Sequence, residues 1–156
     1  MVIGYYDYDV MNKEGRTCKN TRQNEYNCAG YALNLFNWFA PYNNYGEGRR
    51  AKNAVLNNDY SLALNIYSNY LLEFFKDKIR IISALDELAK DEYAIAFRIG
   101  KDDFHFMKRA KNGHWSHKRG GCEVEQISKE ALFSKIWYNY GVIYDSQLIL
   151  FAMKEN

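Results

Sequence analysis

The chain has 156 residues, of which 47% are hydrophobic and 26% are charged, which is enough for one globular domain over residues 1–156. Its formal net charge of +2 is too small to require nucleic acid or an anionic membrane as a partner. No run approaches the roughly 20 apolar residues of a membrane span, and the first residues do not resemble a signal peptide. We therefore expect a cytoplasmic protein that makes no membrane contact.

The first half of the chain is predicted to be mainly helical. Residues 1–26 form a polar lead-in, in which a few tyrosines suggest a short edge strand. Helical spacing of apolar residues predicts a helix from Cys28 to about Ala40, where Pro41 ends it. Residues 42–50 are predicted to be a loop. A second helix is predicted from its N-cap Asp59 to about Phe74.

The second half is predicted to be mainly strands. A short strand is expected at 79–82 and a helical turn or two at 84–90. Alternating apolar residues then predict strands at 92–100, 104–110 and 114–119, a helix at 128–140 capped by Ser128, and a final strand at 147–154. Helices followed by a mainly antiparallel sheet indicate an α+β domain.

The sequence around Cys28 places a thiol where a polar segment turns into a helix. Unpaired N–H groups and the positive end of the helix dipole stabilise a thiolate there, so we expect a lowered pKa and a nucleophilic sulfur. The three cysteines, Cys18, Cys28 and Cys122, are an odd number without metal-type spacing, so reduced thiols are expected. A disulfide between Cys18 and Cys28 would silence the site.

All three histidines of the chain lie on the predicted hairpin that turns at Asn112-Gly113. A three-residue loop with Gly113 left-handed pairs Met107 with His117 and puts His105 and His117 on one face. A two-residue turn would instead put His117 on the opposite face. In the first register, one imidazole takes the proton of Cys28 and the other orients it.

The segment Asn27-Cys28-Ala29-Gly30-Tyr31 resembles the cysteine motif of the NlpC-type cell-wall peptidases, a branch of the papain-like cysteine hydrolases. In that family a histidine follows on a strand and a third polar residue, often histidine, lies about a dozen positions on. His105 and His117 match this order. The resemblance implies a papain-like fold with Cys28 as nucleophile, His105 as base and His117 as orienting residue.

The same resemblance implies thiolate attack on a carbonyl, in a peptidase, an amidase or an acyltransferase. No cofactor is expected. The oxyanion would be held by the Cys28 N–H and a second donor, with Gln23, Asn24 and Asn27 as candidates by nearness in sequence. Trp115, Lys108 and Arg109 are candidate substrate contacts. We expect a peptide or protein amide or ester as intracellular substrate, and an effector, toxin, phage or defence protein as the context.

Other functions were weighed against this one. Cys28 and His117 could be ordinary structural residues, and Trp115 could belong to the core. Zinc binding by His105, His114, His117 and Cys122 is disfavoured because the spacing fits no standard site, so no metal is predicted. Nucleic-acid binding by the basic hairpin is also disfavoured. The alternative function is a non-catalytic binding or inhibitor protein that uses the aromatic and basic hairpin 104–119 to contact a partner protein.

Overall fold

A six-stranded antiparallel sheet lies at the centre of the part of the chain that the computed structural model describes, residues 26–110, 112–120, 122–139 and 141–155. Its strand order is β1-β8-β2-β3-β4-β5, and strands β6 and β7 form a separate two-stranded sheet. The strands are β1 Ile79–Ile82, β2 Glu92–Ile99, β3 Phe104–Arg109, β4 Trp115–Lys118, β5 Val124–Ile127, β6 Trp137–Asn139, β7 Val142–Tyr144 and β8 Ile149–Lys154.

Four α-helices accompany these strands within the described residues. They are α1 Cys28–Ala32, α2 Tyr45–Leu56, α3 Tyr60–Phe75 and α4 Lys129–Leu132, and two 3-10 turns lie at Lys76–Lys78 and Leu85–Glu87. Helices precede the sheet in the chain and neighbouring strands are antiparallel. The prediction of an α+β class is confirmed. The predicted edge strand in the lead-in lies outside the described residues.

Strand β2 is buried on both faces because hydrophobic layers cover both sides of the sheet. Its larger side chains, including Tyr93, Ile95 and Phe97, pack with the helices in one cluster. Its small side chains, Ala94 and Ala96, face a second cluster that contains residues of β6, β7 and α4. The alternation of heavy and light residues in the sequence therefore separates two cores, one on each face.

The hairpin of β3 and β4 has the register expected for the longer loop. Ala110 N–H donates to the His114 carbonyl at 3.0 Å, and Met107 pairs with His117. Gly113 has φ of +87°, a conformation that glycine adopts at little cost. The three-residue loop is confirmed, and with it the common face of His105 and His117.

The helix at Cys28 is much shorter than predicted and ends at Ala32 rather than Ala40. Asn34 and Phe36 both have positive φ, and the N–H groups of Leu35 and Phe36 return to the Gly30 carbonyl. The chain then folds back so closely that a Cβ on Gly30 would lie 1.9 Å from a backbone oxygen of the returning segment. The apolar periodicity continues past Ala32 because this returning segment also packs against the core.

Other boundaries also differ from prediction. Residues 45–50, predicted to be loop, form the first half of helix α2, in which the Asn44 side chain accepts the Glu47 N–H at 2.9 Å. Two glycines weaken the helical signal there; one of them, Gly48, is required because the Tyr42 ring lies against it. Strand β5 was not predicted. The predicted helix at 84–90 is only the 3-10 turn Leu85–Glu87.

The predicted helix at 128–140 is wrong after its first turn. Ser128 does cap α4, accepting the Ala131 N–H at 3.1 Å, but the helix ends at Leu132. The indole of Trp137 donates to the Leu132 carbonyl at 2.8 Å, and the chain continues as the β6–β7 hairpin. Among the described residues, no helix has both the length and the apolar character needed to cross a membrane.

Candidate active site

Cys28 is the first residue of α1, and Asn27 fixes its position. The Asn27 carboxamide oxygen accepts the N–H groups of Gly30 at 3.0 Å and Phe39 at 3.2 Å, while its amide nitrogen donates to the Phe39 carbonyl at 2.7 Å. Asn27 therefore caps the helix and holds the returning segment against it. Both the oxygen and the nitrogen of the Asn27 side chain, a candidate oxyanion donor, are therefore already engaged in hydrogen bonds within the protein. The other two candidates, Gln23 and Asn24, lie outside the described residues.

Lys118 supports the same helix start from β4. Its ammonium group is buried, and it donates to the carbonyls of Tyr26 and Gly120 while lying over the Tyr26 ring. Burial lowers the pKa of Lys118 to about 8. The contact ties β4 to the residue before Asn27, so the strand that carries His117 also fixes the approach of the chain to Cys28.

Cys28 and His105 line one cavity of about 550 Å³. The register of pairs between β3 and β4 ends at Met107 and His117, and α1 packs on both strands beside this point. The N–H of Phe106, the residue after His105, hydrogen-bonds to the Cys28 sulfur. The helix start and strand β3 thereby place the two residues expected to be nucleophile and base in the wall of one cavity.

His105, His117 and Glu125 form a buried hydrogen-bonded series across three strands. His105 Nε2 lies 2.6 Å from His117 Nδ1, and His117 Nε2 lies 3.4 Å from Glu125 Oε2. Both histidines are 1% exposed and Glu125 is 7% exposed. Met107 pairs with His117, and His117 pairs with Glu125, so the ladder itself sets this alignment.

The series favours one set of imidazole tautomers. A carboxylate only accepts hydrogen bonds, so Glu125 holds the proton of His117 on Nε2 and leaves Nδ1 as an acceptor. His105 then donates from Nε2 to that acceptor, and its own lone pair is on Nδ1. The only ring nitrogen of His105 left for a proton from Cys28 is therefore Nδ1.

The Cys28 thiol is not the thiolate that its position at a helix start predicts. Burial raises its pKa to about 12, and the charge of Asp103 acts in the same direction. Hydrogen bonds from the backbone of Phe106, Ala29 and Cys28 itself oppose the rise without cancelling it. The expectation of a lowered pKa is wrong because α1 is short and its first residue is only 6% exposed.

His105 is likewise uncharged. Burial and the neighbouring charges of His117 and Arg119 hold its pKa well below the usual range. Its ring lies against Trp137 and Tyr144, on the sheet face opposite the aromatic core of Phe106. The resting pair is therefore a neutral thiol and a neutral imidazole, and attack by sulfur requires the proton to move as the new bond forms.

The predicted substrate contacts do not line this cavity. Trp115 is 2% exposed and packs in the second core cluster. Lys108 and Arg109 line a different cavity; the Lys108 ammonium lies over the Tyr31 ring and donates to Asn34 at 2.8 Å. Trp115 is therefore a core residue, which was the second role considered for it from the sequence. Of the basic hairpin residues that the structure describes, only Arg119 borders the cavity with Cys28.

Several residues of the site had no signal in the sequence. Glu125 lies on the strand that was not predicted. Asn139 lies on β6, within the segment predicted to be helix, and Tyr144 lies on β7, where no element was predicted. Asp103, Asn139 and Tyr144 line the cavity with Cys28. The sequence of 124–127, Val-Glu-Gln-Ile, does not alternate between apolar and polar residues, and nothing local indicates that the Glu125 carboxylate would meet His117.

Metal and disulfide chemistry were also considered for the cysteines and histidines. Within the described ranges, no group of three or more His, Cys, Asp or Glu side chains could hold a metal ion. His114 is exposed next to the turn. Cys28 is a free thiol, but Cys122 is disulfide-bonded, so the expectation that all three thiols are reduced is wrong.

Comparison with known proteins gives no assignment for this arrangement, since no protein-family model, curated protein or solved structure matches the chain.

Proposed function

We propose that this chain is a papain-like cysteine hydrolase or acyltransferase, similar to the NlpC-type cysteine peptidases, that acts on a peptide or protein substrate. The observation that carries the proposal is the hydrogen-bonded series Glu125, His117 and His105, whose last residue lines one cavity together with Cys28. Every hydrogen bond of that series is compatible with a bare Nδ1 on His105. Nδ1 is the nitrogen of His105 that a general base for Cys28 would use.

The proposed reaction begins with attack of the Cys28 sulfur on a substrate carbonyl carbon. As the S–C bond forms, the thiol proton moves to His105 Nδ1, and the developing imidazolium is stabilised through His117 by the Glu125 carboxylate. Negative charge then develops on the substrate carbonyl oxygen of the tetrahedral intermediate. The backbone N–H groups of Cys28, Ala29 and Phe106 surround the attacking sulfur, so they lie close to this charge.

The intermediate then collapses to a thioester on Cys28. The bond from carbon to the leaving nitrogen or oxygen breaks, and the leaving group takes the proton from His105. Water, or the nucleophile of an acyl acceptor, next loses its proton to His105 and attacks the thioester. The proton returns to the Cys28 sulfur as it leaves, which restores the neutral pair.

The experiment for this proposal uses p-nitrophenyl acetate as a generic acyl donor. We expect a burst of p-nitrophenolate equal to one acetyl group per chain, located on Cys28 by peptide mass spectrometry after acid quench. Cys28→Ala should lose the burst, and His105→Ala should slow both acylation and release. Acetylation confined to lysines, or a burst that persists in Cys28→Ala, would contradict the proposal.

A further inference from the structure

Asn139, which lines the cavity, has an unsatisfied side-chain acceptor. The residue ends β6, is 1% exposed and lines the same cavity as Cys28 and His105. Its side-chain oxygen Oδ1 is buried and has no hydrogen-bond donor among the residues that the structure describes. An unpaired buried acceptor costs on the order of 1–3 kcal/mol, so its presence in a cavity wall indicates a donor supplied by a ligand.

Contacts on the other side of the Asn139 carboxamide fix its orientation. The Asn139 side chain hydrogen-bonds to the Tyr144 hydroxyl in the sense that favours the phenolate, so the amide N–H donates to the Tyr144 oxygen. Tyr144 in turn hydrogen-bonds to the Asp103 carboxylate. With its nitrogen held by Tyr144, the carboxamide keeps Oδ1 as the unpaired end, and a flip would break this chain of hydrogen bonds.

The charges around the cavity favour a neutral ligand group. Asp103 and Arg119 both line it and carry opposite charges, while Cys28 and His105 are uncharged in the resting state. A carboxylate in the cavity would be repelled by Asp103, and an ammonium group would be repelled by Arg119. A neutral amide fits, because its carbonyl can face the Cys28 sulfur while its N–H meets an acceptor.

Building on the proposed function, we propose that Asn139 Oδ1 accepts an N–H of the substrate, so that the site selects amides that carry an N–H over fully substituted amides. Asn139 is then a specificity-determining residue, and Tyr144 is the residue that positions it. Sites built to hydrogen-bond a substrate N–H strongly reject analogues that lack it, because the protein acceptor is then left unpaired.

The test compares two thiol-directed reagents with the same electrophilic carbon, 2-chloroacetamide and N,N-dimethyl-2-chloroacetamide. Alkylation of Cys28 in the full chain is followed by peptide mass spectrometry, and each rate is divided by that of glutathione with the same reagent. We expect wild type to favour 2-chloroacetamide by at least about fivefold, the size of one modest hydrogen bond. Asn139→Leu, which keeps the side-chain size, should reduce the ratio to about one.

Two more variants complete the design. Tyr144→Phe keeps Asn139 but removes the hydroxyl that holds its carboxamide, so it should lower the preference for 2-chloroacetamide. This variant replaces Asn139→Leu in the test if Asn139→Leu does not fold. Asn53→Ala, an exposed position on α2, should keep the wild-type ratio. Since Leu retains the bulk of Asn, a preference that merely reflects crowding by the two methyl groups would survive in Asn139→Leu.

The outcomes separate the two proposals. Equal normalised rates in wild type, or a preference that Asn139→Leu leaves unchanged, would overturn the role of Asn139 while Cys28 remains a reactive nucleophile. Failure of both reagents to alkylate Cys28 in the native protein would instead contradict the proposed function, and the inference about Asn139 would fall with it.

Discussion

Replacing Glu125 tests whether the buried carboxylate sets the tautomer of His117. Glu125→Leu removes the acceptor that holds the His117 proton on Nε2, so the tautomer with the proton on Nδ1 becomes accessible. That tautomer donates to His105 Nε2 and moves the His105 proton to Nδ1, the position that must be bare to accept the thiol proton. We expect Cys28 alkylation by iodoacetamide at pH 7 to slow by on the order of 10²-fold, the lower end of what a general base supplies.

Glu125→Gln separates charge from tautomer. The Gln oxygen can still accept from His117 Nε2, but a hydrogen bond to a neutral group is weaker than one to a carboxylate by about 1 kcal/mol. Because His117 Nε2 and Glu125 Oε2 are as far apart as 3.4 Å, we expect this loss of hydrogen-bond energy to be small, and the alkylation rate of Cys28 to fall about fivefold. Glu130→Leu, on the exposed side of α4, should change nothing.

The assay is the second-order rate constant for Cys28, read by peptide mass spectrometry, with thermal unfolding measured in parallel. The reasoning would be refuted if Glu125→Leu reacted as fast as wild type while remaining folded. It would also fail if the Gln and Leu variants lost the same factor, because only Gln retains an acceptor for the His117 Nε2 proton.

Three further predictions concern stability. The pKa of His105 in the folded state lies well below 6.5, so as the pH falls the unfolded chain binds a proton at this residue before the folded chain does. The free energy of unfolding should therefore fall by up to about 1.4 kcal/mol per pH unit below about pH 6.5. His105→Gln should flatten this slope when the free energy is measured by urea titration. Gly30→Ala should lower the free energy of unfolding by at least about 2 kcal/mol, because the added Cβ clashes with the backbone. Gly46→Ala on α2 should instead raise the free energy of unfolding by about 0.5–1 kcal/mol. A higher denaturant midpoint for Gly30→Ala than for Gly46→Ala would contradict the packing described. Asn27→Ala should lower unfolding free energy by about 1–2 kcal/mol and also slow thiol alkylation, whereas the exposed cap variant Asn44→Ala should leave the alkylation rate unchanged.

The hairpin was predictable because its signals are local. Asn112-Gly113 and the strand patterns on either side indicate the turn, but they allow two loop lengths. Only the three-residue loop puts His105 and His117 on one face, and the structure has that loop. The hairpin was therefore predictable from the sequence, whereas the choice between its two registers was not.

The remaining parts depend on contacts between distant segments. The end of α1 is set by a chain that returns across Gly30, and the β6–β7 hairpin begins where the Trp137 indole caps α4. Neither event leaves a periodic pattern in the sequence. Glu125 reaches His117 only through strand pairing, and the raised pKa of Cys28 arises from burial by the whole fold.

The most direct measurement of the central claim is the rate of Cys28 alkylation by iodoacetamide from pH 5 to 9, in wild type and in His105→Ala. With a neutral thiol beside a neutral imidazole, the proton moves to His105 during attack, so the wild-type rate should be nearly constant from pH 6 to 8. Without His105, the reaction depends on the thiolate of a group with a pKa of about 12, so the rate should rise about tenfold per pH unit. Parallel profiles in the two proteins, or an inert Cys28 in wild type, would contradict the assignment of His105 as the base for Cys28.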